Sequence, residues 1–215
     1  MDYSPVYKRF TFVEPKKVQP IQPLAAVSYV RNLFSAEECD RILLEGLAWK
    51  SRPAAVYTSL AADVVDPKLR QGNIYTVESD SISSLWFLPK INDAIKSYKQ
   101  HTDGSPTIGG KVEVQLVEYT NPGDHFNKHR DTEVNPSEMT RETHRKISLT
   151  IELTDNTQYE GANLRFIEDD GKTIRPVANK GDAFIFPSWR RHQVKPLVSG
   201  VRHALVCWYH GPFWR

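Results

Sequence analysis

Three side chains in the carboxy-terminal half of the sequence, His129, Asp131 and His192, are of types that bind a transition metal. His129 and Asp131 stand one residue apart, so on an extended strand both leave the same face and can grip one ion. A second imidazole must come from elsewhere. His192 is the best candidate, because it follows a predicted strand at 183–186 and opens another, at a strand mouth. Two imidazoles and a carboxylate on one side of an iron leave its remaining positions open for a chelating cosubstrate and dioxygen.

A second piece of chemistry is carried by Arg202, which opens a predicted strand at 202–209 and shares one face with Ala204, Val206 and Trp208. A guanidinium among apolar neighbours calls for an anion, and its fork suits a carboxylate bidentately. That carboxylate belongs either to a dicarboxylic cosubstrate or to a protein Asp or Glu. Trp208 reads equally as a pocket wall and as a core residue. On the strand predicted at 111–119, Glu113, Gln115, Val117 and Tyr119 share a face, where polar groups would be costly in a dry core. Tyr119 and Gln115 therefore become candidates for lining a wet ligand pocket, the alternative being a solvent-facing strand.

The remaining histidines carry less. His125 and His129 are four apart, but no Glu follows His125 as in the His-Glu-x-x-His helix of zinc peptidases, and Pro122-Gly123 argues against a helix there. His203 alternates away from Arg202, His144 falls in a loop and His210 lies near the carboxyl terminus, so all three read as surface or packing residues. His101 ends a helix as an expected cap.

The elements that must hold these residues follow from periodicity. Residues 1–24 contain Pro5, Pro15, Pro20 and Pro23 and read as an extended arm, with one domain over 25–215. Ala25 to Val30 reads as a strand. Ser35 and Glu38 form a capping box for a helix with Cys39, Ile42, Leu43 and Leu47 on one face. A second helical pattern covers about 84–99, and Pro89 within it either kinks the helix or marks the first turn of a shorter one starting near Leu88. Between the helices, 52–80 has no clean period, and Ala61 to Gln71 reads as an exposed loop. From Lys111 the period becomes two, giving strands at 111–119, 146–153, 163–167, 173–177, 183–186, 192–196 and 202–209. Two helices followed by seven short strands predict an α+β chain with a sandwich or jelly-roll β part.

Composition narrows the class without fixing it. The 215 residues are 40% apolar and 25% charged, ordinary for a globular chain, and fourteen prolines with nine Tyr, nine Phe and five Trp favour many short strands. A net charge of +2 without a Lys/Arg block gives no footprint for nucleic acid. No stretch approaches the ~20 apolar residues of a membrane span, and MDYSPVYKRF has no apolar signal core, so a cytoplasmic location is expected. Cys39 and Cys207 read as isolated buried thiols.

Longer motifs connect the candidate residues. Residues 181–202 fit the pattern G-x-x-x-x-F-P-x-x-x-x-H-x-V-x-P-V-x-x-G-x-R, with Leu197 for the second Val. Gly123-x-x-Phe126-x-x-His129-x-Asp131 precedes it, and Arg145-Lys146-x-Ser148-x-x-x-x-Leu153-x-Asp155 and Tyr159-x-Gly161-Ala162-x-Leu164-x-Phe166 lie between. In this order, together with Trp208-x-His210-Gly211-Pro212-Phe213, they resemble the prolyl 4-hydroxylase-like branch of the iron(II)/2-oxoglutarate oxygenases, in its bacterial and phage type. The resemblance covers roughly 112–215 and departs at Ala162, where the pattern has Gly, and at Tyr119, which lies ten rather than nine residues before His129.

That resemblance implies a double-stranded β-helix (jelly-roll) core with two packing helices from the amino-terminal half. It implies Fe2+ held by His129, Asp131 and His192, with Arg202 on the far carboxylate of 2-oxoglutarate and Tyr119 and Gln115 beside it. The implied reaction couples oxidation of 2-oxoglutarate by O2, giving succinate and CO2, to hydroxylation of a C–H bond, with ascorbate as a possible reductant. The substrate implied is a peptidyl proline or another residue of a peptide or protein, the alternative being a free amino acid or other small molecule. Nucleic-acid demethylation is disfavoured, because that branch carries a second Arg six residues after the first, where this chain has Trp208. A non-catalytic jelly-roll binding module and a metal hydrolase are the rival classes; the first would have lost a ligand, and the second needs a general base not evident beside the triad.

Overall fold

The computed structural model describes residues 10–12, 27–55, 64–102, 105–109, 111–132 and 144–212. The expected arm falls outside these residues except for Phe10–Phe12, and so does the loop interior at 133–143. The strands are β1 (Phe10–Phe12), β2 (Val27–Val30), β3 (Lys50–Pro53), β4 (Arg70–Gln71), β5 (Asn73–Thr76), β6 (Val112–Tyr119), β7 (His125–His129) and β8 (His144–Glu152). They continue with β9 (Tyr159–Gly161), β10 (Leu164–Ile167), β11 (Thr173–Ile174), β12 (Ala183–Pro187), β13 (His192–Val194), β14 (Leu197–Gly200) and β15 (Arg202–Gly211).

Both helices form for the reasons the sequence suggests. In α1 (Ala36–Leu47) the Ser35 side chain accepts from the Glu38 amide and Glu38 accepts from the Ser35 amide, closing the capping box. Cys39 and Ile42 are buried beneath it, but Leu47 is exposed and Gly46 takes the buried turn instead, packing on Leu116. The second helix is the shorter of the two possibilities: α2 (Leu88–Gln100) has Pro89 in its first turn, where the missing N–H is not needed. Both helices pack on the same apolar cluster, and Lys90 of α2 pairs with Glu38 of α1 at 2.7 Å.

Strand order in the larger sheet is β1-β2-β12-β8-β15-β6-β5-β3, antiparallel except for β1 with β2. A second sheet runs β11-β10-β13-β7-β4, and β14 pairs with β9. Long strands at the centre of the larger sheet alternate strictly. Val114, Leu116, Ile147, Leu149, Ile151, Leu205 and Cys207 join one apolar cluster with α1 and α2. Val117, Phe184 and Phe186 turn to the other side and pack on Leu164, Phe166 and Val194 of the second sheet. Each such aliphatic or aromatic side chain contributes about 1.5–3 kcal/mol by leaving water.

Sequence periodicity missed the strands lacking an apolar alternation. β3, β4 and β5 occupy the tract 50–76, where Lys50, Ser51 and Pro53 are exposed. β7, β9 and β14 are likewise short and largely polar. His144, expected in a loop, is buried at the start of β8, and His210 is buried with its Nε2 3.1 Å from Glu113. His101 caps α2 as expected, its Nδ1 lying 2.7 Å from the Ser97 carbonyl. Ala162 sits at φ 42°, left-handed backbone in which Gly is favoured, so the missing second glycine of the pattern costs strain rather than changing the turn.

Candidate metal centre

β7 and β13 lie side by side in the second sheet, and the register puts His192 opposite His129. Asp131 is not on the strand with His129, as the spacing suggested, but just past its end. There its backbone N–H donates to the Ser188 carbonyl at 2.9 Å, and this contact turns the carboxylate back toward the imidazoles. The His129 and His192 Nε2 atoms stand 3.4 and 3.6 Å from Asp131 Oδ1, and one ligand atom from each of the three lies within 4.8 Å of the others.

The donor set fits a divalent metal. His129 Nδ1 is 2.7 Å from the Asn127 carbonyl and His192 Nδ1 is 2.9 Å from the Arg190 carbonyl. A carbonyl only accepts, so each Nδ1 carries the proton and each Nε2 directs its lone pair at the shared centre. Burial, with His192 beside it, pushes the His129 imidazole down to about 4 and keeps it neutral. Burial alone would raise the Asp131 carboxyl, but His192, His129 and Arg145 outweigh it and hold that group well below the carboxylate range. The site thus presents two ring nitrogens and one carboxylate oxygen to a shared centre.

Residues behind the ligands lock them. Ser148 on β8 donates its hydroxyl to Asp131 Oδ2 at 2.6 Å and lies 2.9 Å from Ser188 Oγ. Phe126 stacks on the His129 ring at 3.4 Å between centroids, and Phe186 packs edgewise on His192 at 5.0 Å. Arg190 is tied to Glu168 in a buried ion pair, which fixes the turn whose carbonyl holds His192. Ser148 is visible in the sequence only as a motif position; nothing in the residue pattern assigns it a role.

The other candidates line the interior along neighbouring strands. Tyr119 stands opposite Arg202, and Val206 opposite Gln115. Trp208 is opposite Ser148, which places the Trp near the metal end. All four candidates are buried, so the solvent-facing alternative for Tyr119 and Gln115 does not hold. Gln115 Oε1 and Trp208 Nε1 are buried without a hydrogen-bond partner, which leaves an acceptor and a donor that a polar ligand could satisfy. Arg145 stacks over Trp208 at 3.9 Å and pairs with Glu113.

Arg202 has a protein partner, the alternative the sequence left open. Its Nε donates to Glu152 Oε2 at 3.0 Å and its Nη2 to Glu152 Oε1, with Nη1 outside the pair. Glu152 comes from β8, opposite Ala204. Neither Glu152 nor Arg70, which lies beside Phe126, was singled out by the sequence, since one sits at an unassigned position of a motif and the other in the tract without a period.

Comparison with known proteins agrees with this geometry. Residues 114–210 match the model of the 2OG-Fe(II) oxygenase superfamily. Over that stretch, a little under half of its length, the chain is similar to a class named for iron(II) and 2-oxoglutarate. Its likenesses include hydroxylases among curated proteins and prolyl hydroxylases among solved structures. A PKHD-type hydroxylase of Synechococcus sp. (strain CC9902) is 34% identical over 99 residues, 46% of this chain and 41% of that protein. The chain thus matches less than half the length of this relative. Among solved structures, a Pseudomonas putida prolyl-4-hydroxylase superposes with a TM-score of 0.62 at 20% identity, covering 85% of this chain and 91% of the other. A Trichoplax adhaerens prolyl hydroxylase, solved with a hypoxia-inducible-factor degradation-domain peptide, gives a TM-score of 0.64 at 18% identity, covering 85% and 82%. No helix among the described residues is long and apolar enough to cross a membrane.

Proposed function

We propose that this chain is an iron(II)- and 2-oxoglutarate-dependent dioxygenase that hydroxylates a C–H bond of an amino-acid residue in a peptide. The domain is read as 25–215, on a double-stranded β-helix core that follows an amino-terminal arm over 1–24. The observation that carries this reading is the convergence of two proton-free Nε2 atoms and the Asp131 carboxylate within 4.8 Å. Such a face leaves metal positions open for a chelating keto acid and dioxygen. When bound, the metal and cosubstrate supply the oxidising chemistry.

The chain's own residues do the positioning. His129, Asp131 and His192 would hold the ion, and Ser148 keeps Asp131 aimed at it. Arg202 and Tyr119 would receive the far carboxylate of 2-oxoglutarate, Arg202 through Nη1, which Glu152 leaves aside. Gln115 Oε1 and Trp208 Nε1 offer an acceptor and a donor on the same interior face. Phe126 stacks on His129, and Phe166 and Phe186 pack on His192, so apolar rings flank the imidazoles. The peptide reading draws on the prolyl hydroxylase likenesses; a free amino acid is the second reading, since a fold does not fix its substrate.

The test is an anaerobic titration of the apo chain with iron(II) and 2-oxoglutarate, read by the metal-to-ligand absorption band. A saturable band requiring both reagents is expected. Iron(II) binding without any 2-oxoglutarate-dependent band would overturn the oxygenase reading in favour of a binding module. Mass spectrometry of proline-containing peptides and free amino acids after aerobic turnover, with and without ascorbate, then separates the two substrate readings by which gains one oxygen.

A further inference from the structure

Two buried guanidinium groups serve the interior of this site, and they differ in what balances them. Arg202, 1% exposed, has Glu152 across both Nε and Nη2, so one cation meets one anion. Arg70, 8% exposed, comes from β4 on the opposite sheet. Its Nη1 donates to the Ala55 carbonyl at 3.1 Å, its guanidinium carbon lies 4.5 Å over the Phe126 ring, and its Nε has no partner. It forms no ion pair among the described residues. The Phe126 ring beneath it stacks in turn on His129, so a single aromatic ring separates this cation from a metal ligand.

An ion buried without a counter-ion is unfavourable, and a ring face with one carbonyl compensates it only in part. Asp131 is a carboxylate whose charge reaches Arg70, yet among the described residues it forms no ion pair with Arg70, and its two oxygens are committed to the metal face and to Ser148. The other charges seen to act on Arg70 among the described residues include Tyr119, Arg145 and Arg52, none of them a carboxylate. Among the described residues Arg70 is thus a buried cation with no carboxylate in direct contact, beside the metal centre.

We infer that Arg70 is an anion-binding residue of this site and takes a carboxylate carried by a ligand. The carboxylate has two possible sources, the far end of 2-oxoglutarate or the molecule to be oxidised. The inference rests on the oxygenase reading above and adds to it a preference for a carboxylate-bearing ligand that the sequence assigned to Arg202 alone.

Two variants of the full chain test it: Arg70→Met, which keeps a side chain over Phe126 without charge, and Arg70→Lys, which keeps the charge without the fork. Each is loaded with iron(II) anaerobically and titrated with 2-oxoglutarate and with pyruvate, a keto acid that lacks the far carboxylate. If 2-oxoglutarate is the source, Arg70→Met weakens it on the order of 10- to 150-fold while pyruvate changes little, and Arg70→Lys recovers part of the loss. If the substrate is the source, both keto acids keep their affinities. Iron- and 2-oxoglutarate-loaded wild type is then stabilised by N-acetyl amino acids over their amides, and Arg70→Met abolishes that difference. Melting of the unliganded chain is a second readout: an unbalanced charge predicts that Arg70→Met melts no lower than wild type, whereas a structural arginine predicts a fall. The inference is overturned if Arg70→Met melts lower, or if every affinity is unchanged in it. Failure of the oxygenase reading itself would look different, because wild type would then give no 2-oxoglutarate band.

Discussion

The two faces of β6, β8 and β15 are made by the same residues in strict alternation, yet they behave as two different materials. On the outer face Val114, Leu116, Ile147, Leu149, Ile151, Leu205 and Cys207 meet α1 and α2 in a dry, close-packed layer. On the inner face Gln115, Tyr119, Lys146, Ser148, Thr150, Glu152, Arg202 and Trp208 are just as removed from solvent but carry polar atoms, some of them unpaired. Apolar contact is nondirectional and tolerates small shifts, whereas a buried polar group is favourable only with its partner in place. One face should therefore fail through lost stability and the other through lost binding.

The largest expected break is on the inner side. Asp131→Ala deletes the only anionic member of the triad and leaves two neutral imidazoles to hold a dication. Iron(II) binding and 2-oxoglutarate turnover should both be lost, and near-normal turnover would refute the triad. Arg202→Ala comes next and blurs the division, because it strands Glu152 as an uncompensated buried charge. A fall in stability of about 3–5 kcal/mol is expected, together with weaker 2-oxoglutarate binding, and replacing Glu152 as well with an apolar residue should restore most of the stability but not the binding. A thermal scan beside an anaerobic titration of both variants decides this; an Arg202→Ala chain as stable as wild type would mean that the pair with Glu152 is not formed.

How much of this could be read from the sequence follows from the same division. The outer face is legible because its apolar residues repeat at every second position, and α1 because Ser35 and Glu38 punctuate its start. His129, Asp131 and His192 are legible because ligand chemistry restricts residue type. Arg202 was legible as a cation needing an anion, but not its partner, since Glu152 is fifty residues away and only the β8–β15 register brings the two together. Arg70 could not be found at all. β4 is two residues long, too short to show a period, and the charge is meaningful only because β4 pairs with β7 beside the metal.

Leu149 and Ser148 are neighbours in the chain on opposite faces of β8, so the pair gives the sharpest and smallest-scale comparison. Leu149→Ala opens a cavity in the packed outer layer and should cost about 2–5 kcal/mol in chemical denaturation, while iron affinity of the folded fraction stays within a few-fold. A loss of iron affinity matching the loss of stability would show that the faces are coupled through the strand.

Ser148→Ala should do the reverse. The substitution removes one hydroxyl and leaves the β8 backbone ladder and the packing of Leu149 intact. What it takes away is the 2.6 Å hydrogen bond that aims Asp131 Oδ2, together with the contact to Ser188. Partners of this kind behind a metal ligand are worth roughly 10- to 100-fold in metal affinity. The carboxylate would still be anchored by the Asp131 amide on the Ser188 carbonyl, so the site should weaken within that range rather than vanish as in Asp131→Ala. Iron(II) competition against a chelator, measured beside the denaturation midpoint, reads both quantities on one sample. Ser148→Thr, which keeps a hydroxyl, should recover much of the affinity, and a Ser148→Ala chain that binds iron like wild type would show that Asp131 is held by its backbone alone.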